Sequence, residues 1–201
     1  MKINRKEIKT KAKTDFSARY GMHILCYLIF TVLLCFASEI LIFVFGPLVV
    51  GQNAVYRKSS KAEKFTPADI FSGFKHYARS LGAGVLQLVF TTLWSLLLIV
   101  PGIIKAISYN LTPYIIDVDD TKGPKEAINL SKAMMKGYKG QYFVLMLSFL
   151  GWNILSLFTF GILDLLYVGP YQAQTFYNFR EKVYNEYMAK NQQPQPKKSE
   201  K

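Results

Sequence analysis

The residues able to do chemistry in this chain are few and far apart. Asp117, Asp119 and Asp120 place three carboxylates within four positions. Such a hard-oxygen set could hold a divalent cation, or a phosphate bridged by one; it could equally end one apolar stretch and lead into the next helix. Lys105 sits inside a long apolar run, where a lysine must either snorkel to an interface or meet a carboxylate. Glu39 and Asp164, at the corresponding points of two other apolar runs, are the candidate partners that would tie those runs together. His23 and His76 stand at no metal-ligand spacing from each other or from a cysteine, so no zinc site is expected. Cys26 and Cys35 fall on one predicted helix, roughly 13 to 14 Å apart along its axis, which is beyond disulfide reach. No nucleophile elbow, phosphate-binding glycine loop, metal-binding helix or Ser-His-Asp set occurs. Catalytic residues, a bound metal and a cofactor are therefore not expected.

Prolines supply the second set of candidates. Pro47, Pro101 with Gly102, and Pro170 lie in or beside apolar runs. Each removes a backbone donor and frees a carbonyl that lipid cannot satisfy. Gln52, Asn53, Ser108, Asn110, Gln172, Gln174 and Asn178 flank these positions and could supply the missing partners. Broken helices with exposed dipole ends hold ions and small anions in transporters, so a polar site at membrane depth is one reading. Kinked helices sealed by their neighbours are the other.

The elements that must position these residues follow from the distribution of charge. The chain of 201 residues has 25 basic and 13 acidic side chains. Stretches 20–56, 81–118 and 141–179 carry only four of them, Glu39, Lys105, Asp117 and Asp164, and the rest of the chain carries 34. Three apolar blocks of nearly equal length predict an all-α, polytopic membrane protein rather than a water-soluble core. A single helix of block length would run roughly 57 Å, against a hydrocarbon core of about 30 Å, so each block reads as a hairpin. Breaks are expected at Ala37, Ser38 and Glu39, at Pro101 and Gly102, and between Thr159 and Asp164. About six transmembrane helices result, some short enough to be tilted or re-entrant. The expected organisation is a basic arm at 1–19, one membrane domain at 20–188 and a disordered polar tail at 189–201.

Orientation follows from where Lys and Arg fall. Of the 25 basic residues, 24 lie outside the three hairpins, on the side that also holds both ends of the chain. Both termini are therefore expected in the cytoplasm, with the hairpin turns outside. The net charge of +12 does not point to nucleic acid, because the basic residues border apolar runs and serve as topology determinants and as contacts for anionic lipid. The first apolar run is longer than a signal sequence core and is expected to be kept as an anchor.

The segments between the blocks have a pattern of their own. Thr66, Pro67 and Asp69 read as a capping box that opens a helix toward Arg79. Ile70, Phe71, Phe74, Tyr77 and Leu81 are expected on one face of it, and Lys75, His76 and Arg79 on the other. In the second segment Ala127, Ile128, Ser131, Met134, Met135 and Tyr138 share a face opposite Lys125, Lys132, Lys136 and Lys139. Such helices could lie in the headgroup plane, with Lys75, Arg79, Lys132, Lys136 and Lys139 on anionic lipid, or pack on the bundle. Ile8, Ala12 and Phe16 give a fainter version near the N-terminus. The unit of basic amphipathic helix, run, turn and proline-bearing run thus occurs three times, which suggests an internal repeat. Phe176, Phe179, Val183 and Tyr187 continue the last helix beyond the membrane as a candidate partner surface.

Trp94 through Ala106, with Ser108, Tyr109, Pro113 and Tyr114, resembles the central signature of a bacterial integral-membrane family, domain of unknown function nine-seven-five. The resemblance continues through Ala127, Ser131, Met135, Lys136 and Gly137, then Leu147 to Phe149, Gly151 and Trp152. It closes with Gly161, Pro170, Tyr171 and Ala173. In outline the family is also similar to the membrane domain that precedes some glycerophosphodiester phosphodiesterases. The resemblance implies a multi-helix membrane module and adds nothing about chemistry. The resulting expectation is a non-enzymatic protein of the bacterial plasma membrane that acts through contacts with lipid, chiefly anionic, and with protein or a second copy of itself. A small transporter or lipid-handling protein is the alternative, favoured if the proline-bearing runs enclose a polar site rather than a sealed apolar bundle.

Overall fold

A computed structural model describes residues 3–36, 41–97 and 99–192, and every regular element among them is helical. The chain forms α1 (Arg5–Ala18), α2 (Tyr20–Phe36), α3 (Leu41–Ser60) and a 3-10 segment (Pro67–His76) that runs directly into α4 (Tyr77–Leu97). There follow α5 (Ile99–Tyr109), α6 (Thr112–Val118), α7 (Pro124–Met134), α8 (Lys139–Leu147) and α9 (Leu150–Phe158). A π turn (Asp164–Val168) then leads into α10 (Gly169–Gln192). The last helix extends past position 188; residues 193–201, the rest of the polar tail, lie outside the described residues, as does Glu39.

Side-chain pairs show how the helices fold back on one another. His23 near the start of α2 meets Ser59 near the end of α3, Nε2 to Oγ 2.8 Å, so these two helices are antiparallel. Arg79 at the start of α4 donates to the Ile116 carbonyl at the end of α6, 2.8 Å, and Phe90 meets Tyr109, 6.1 Å between ring centres. In the third pair Trp152 reaches Tyr167, Tyr142 reaches Phe179, and the Tyr138 hydroxyl donates to Glu186 at 2.7 Å. Three antiparallel hairpins therefore stand with their open ends together. The charged contacts gather at those open ends: Arg57 with Asp117, Lys58 with Asp69, Arg79 with Asp120, Lys11 with Glu181. The far end of the third hairpin is apolar instead, and Phe160 in its turn, at φ 50°, is 97% exposed.

The first two hairpins join along a seam of small residues. A methyl group on Gly51 would lie 2.5 Å from the carbonyl carbon of Ile70, and one on Gly84 would lie 2.6 Å from the Cα of Gly46. Gly73 faces the Pro47 carbonyl in the same way. Only glycine lets the two backbones approach this closely, the packing device of membrane helices.

The capping signal at Thr66 holds, with the Asp69 carboxylate accepting the Thr66 amide at 2.8 Å. The face predicted from a 3.6-residue period splits, however, because the segment is a 3-10 helix with three residues per turn. Ile70 and Gly73 are buried against α3 and Phe74 is half-buried on the same cluster, while Phe71 and Tyr77 are exposed, their ring centres 6.2 and 6.0 Å from that of Phe74.

Two of the three amphipathic faces are covered by protein rather than turned to lipid. Ile8, Ala12 and Phe16 are buried as α1 packs on α10, where Lys11 and Lys182 pair with Glu181 and Glu7, each at 3.0 Å. Ala127, Met134, Met135 and Tyr138 join the principal core, and Ile128 and Ser131 are buried as well. Phe179 and Val183 are buried there as well, with Phe176 and Tyr187 against them, so that face of α10 is no free partner surface.

The prolines sit in unlike settings. Pro47 lies within α3 and is the one that interrupts a helix interior. Pro101 falls in the first turn of α5, where its missing N–H is no loss, and Gly102 follows it inside the same helix, so neither residue breaks α5. Pro170 opens α10 behind the π turn, in which the Gly169 amide bonds the Asp164 carbonyl.

The apolar blocks predict six spans. Among the described residues, one helical run of 20 residues, Lys139–Phe158, is long and apolar enough to cross a membrane unaided. Arg5–Ala18 and Tyr20–Leu33 meet that standard only as a pair bent by 96°.

Candidate functional site

Where the first and third hairpins meet, polar side chains line a groove of about 470 Å³. Its long wall is one face of the π turn and α10, carrying Asp164, Gly169, Gln172, Ala173, Phe176 and Arg180. The spacing from Gly169 onward, three, one, three and four residues, is that of a single helical stripe. Tyr27 and Phe30 of α2, Gln52, Asn53 and Tyr56 of α3, and Asn153 of α9 complete the lining.

A charge stands at each end. At one, Arg180 donates from Nε to the Asn110 amide oxygen at 2.7 Å and from Nη1 to the Asn53 amide oxygen at 2.9 Å. Asn53 in turn gives its own amide hydrogens to the Val49 carbonyl at 2.7 Å, which turns its oxygen toward the guanidinium. At the other end, Asp164 accepts the Tyr27 hydroxyl at 3.2 Å. The Tyr27 ring lies directly against Gly169, leaving no room for a side chain there. Between the charges the lining is neutral amide and aromatic.

Behind the groove, the opposite face of α10 carries a separate buried network. Gln174 donates to Ser60 at 2.8 Å and to Asn178 at 3.0 Å, and Asn178 donates to Asp15 at 3.3 Å. Burial pushes the Asp15 carboxyl above its ordinary pKa, against the opposing effect of the Asn178 hydrogen bond. At Asp69 burial also pushes upward, but Lys58 at 2.6 Å and the Thr66 amide outweigh it and hold the carboxyl below the usual range. The Arg79 hydrogen bond, with little burial to oppose it, lowers Asp120.

The sequence-derived candidates are dispersed. Asp164 joins the third hairpin to the first, but through Tyr27 rather than through Lys105, which is half-buried on α5. The three clustered carboxylates diverge: Asp117 takes Arg57 at 2.9 Å, Asp119 accepts from Thr121 at 2.6 Å, and Asp120 takes Arg79 at 2.6 Å. No metal-binding cluster of His, Cys, Asp and Glu occurs among the described residues. Trp152 is exposed on α9 beside Tyr167, while Trp94 falls within α4. Lys75 and Lys136 are exposed and Lys139 is half-exposed. Lys132 lies over the rings of Phe90 and Tyr109, and Arg79 is committed to Asp120 and Ile116.

Of the polar residues flanking the prolines, Gln52, Asn53 and Gln172 line the groove and Asn110 braces Arg180, while Gln174 and Asn178 face the inner network. Ser108 returns its hydroxyl to Ile104. Arg180, Tyr27 and Asn153 are the members that sequence reasoning passes over. Arg180 reads as one more basic residue after an apolar block; its position four after Phe176 and eight after Gln172 is the signal that puts it on the stripe.

Fold and site together define a three-hairpin helical bundle holding a polar groove between its first and last hairpins. Residues 70–186, more than half of the chain, match the family model described as protein of unknown function (DUF975), and the chain belongs to that family. No curated protein and no solved structure matches it.

Proposed function

We propose that this chain is a multi-pass protein of the bacterial plasma membrane that handles phospholipid through the groove, without covalent chemistry. The carrying observation is a polar furrow with apolar banks. The helices α2 and α9, which lend Tyr27, Phe30 and Asn153 to its lining, also expose apolar side chains: Leu25 and Val32 on α2, and Trp152, Ile154 and Leu155 on α9. In water such a surface is unfavourable; in a bilayer the banks face acyl chains and the furrow receives the headgroup. The gathering of charge at the open ends, set against the apolar turn of the third hairpin, supports a cytoplasmic location for both termini. The exposed Phe71 and Tyr77, next to Lys75, have the composition of an interfacial anchor. The polar furrow favours the lipid-handling reading over a sealed bundle acting only through protein contacts.

Native mass spectrometry of the protein released from mild detergent tests this. A retained phospholipid is expected, with reduced retention in the variant Gln52→Leu/Gln172→Leu, which makes the furrow apolar. A wild-type protein that carries no lipid and gains no thermal stability from added phosphatidylglycerol would overturn the proposal.

A further inference from the structure

We infer that the groove is a track as well as a seat: it lets a phospholipid headgroup pass from one leaflet to the other while the acyl chains stay in the bilayer. This rests on the lipid-handling reading above and adds an activity to it, transbilayer lipid movement without an energy source.

Three features carry the inference. The first is length. From Gly169 to Arg180 the wall rises roughly 16 Å at about 1.5 Å per residue, and the π turn carries it further to Asp164, so that it covers more than half of a hydrocarbon core of about 30 Å. A binding pocket for one headgroup needs only a fraction of that. The second is direction, because the groove starts near the turn of the third hairpin and ends at Arg180, beside the charged open ends. By the positive-inside rule those are opposite membrane faces. The third is the order of groups along the wall. Arg180 offers a guanidinium suited to a phosphate at the cytoplasmic end. Gln172 and Asn153 then supply neutral hydrogen-bonding groups, which replace water around a polar headgroup without trapping it by charge. Asp164 at the far end complements the ammonium of a zwitterionic lipid.

The occupant to which this geometry commits is a phospholipid rather than a free solute. The bordering helices α2 and α9 expose apolar side chains, so two acyl chains can remain outside while the headgroup travels within. A path for ions or free phosphate would need closure on that side.

The test is a dithionite assay on vesicles of phosphatidylethanolamine and phosphatidylglycerol carrying a trace of acyl-labelled fluorescent phosphatidylethanolamine. Dithionite bleaches only the outer leaflet, so protein-free vesicles retain about half of the signal. Vesicles with the full-length wild-type protein are expected to lose most of that protected half within minutes. Asn153→Leu/Gln172→Leu, matched to wild type in thermal stability, should slow the loss at least tenfold. Thr92→Leu, on the exposed face of α4 away from the groove, should not slow it. Parallel vesicles holding a trapped water-soluble fluorophore must stay bright; their bleaching would mean an aqueous pore and overturn the track. Protected lipid in wild-type vesicles, or equal rates in the groove variant, would also overturn it. If lipid is still retained in native mass spectrometry while no movement occurs, the track falls and the lipid-handling reading stands. If no lipid is retained, both fall.

Discussion

Gly51→Ala tests the packing that brings the first two hairpins together. Alanine favours a helix over glycine by up to about 1 kcal/mol, so on an open helical surface this change stabilises. At Gly51 the added methyl would sit 2.5 Å from the carbonyl carbon of Ile70 and 3.1 Å from its Cα, closer still to the oxygen. Ordinary carbon contacts are about 3.5–4.0 Å, so α3 and the 3-10 segment must part by about 1 Å or more. The obstacle is backbone and cannot swing aside as a side chain would. Overpacking of this kind costs about 1–3 kcal/mol, more when backbone must move, and separation also loosens the neighbouring contact of Gly73 with Pro47. Net of propensity, a loss of about 2 kcal/mol is expected. At roughly 2–4 °C per kcal/mol for a chain of this size, Tm should fall by about 4–8 °C. The assay is thermal unfolding in mild detergent, followed by circular dichroism, with Gly151→Ala as the control. Gly151 is exposed on α9 with nothing within 4 Å of a built methyl, so the same chemical change there should leave Tm level or slightly raised. Equal Tm values for the two variants would refute the close approach of α3 and the 3-10 segment.

Three further outcomes follow from the charged and aromatic groups. Asp117 is 5% exposed and depends on Arg57, so Arg57→Ala should cost near the lower end of the roughly 3–5 kcal/mol range for breaking a buried pair, since Arg57 itself is one-third open; Arg57→Ala/Asp117→Asn should recover most of the loss in a thermal melt. The raised pKa of Asp15 makes the folded protein hold its proton more tightly than the unfolded chain, so its ionised form weakens the fold above that pKa. Asp15→Asn should therefore raise Tm at pH 7, and the gap should close as the pH falls below about 4; a gap that persists at low pH would contradict this. In a Trp94→Phe background, Trp152 fluorescence in vesicles should be quenched by brominated acyl chains and spared by aqueous iodide. The reverse pattern would remove α9 from the membrane.

Much of the scaffold was legible because it rests on local or additive physics. Four charges in three long blocks, and glycine at Gly161 with φ +82° in the last turn, mark hairpins without any tertiary information. The capping box at Thr66 and Asp69 is a contact three residues long and was equally readable. Helix type was not: the 3-10 conformation of Pro67–His76 comes with the close approach to α3 at Gly51, which no local propensity contains. The residues of the α1 and α7 faces group as their periodicity predicts, yet periodicity says only that a face is apolar; whether lipid or another helix covers it, α10 for α1 and chiefly α4 and α6 for α7, depends on where distant helices fall.

The candidate site divides along the same line. Composition and spacing alone determined that the chain is helical, sorts its charge to the ends of apolar runs, and keeps polar amides beside its prolines. Tertiary structure decided which of those amides meet. Gln52 and Gln172 come to one groove, while Gln174, two residues from Gln172, turns into a separate network because successive α-helical residues point about 100° apart and only packing fixes which stripe faces a neighbour. It also decided that Asp164 meets Tyr27 and that Arg180 is braced by Asn53 and Asn110, partners 127 and 70 residues away. Contacts at such separation leave no periodic trace in one sequence, because each depends on the relative placement of whole hairpins rather than on the residues between.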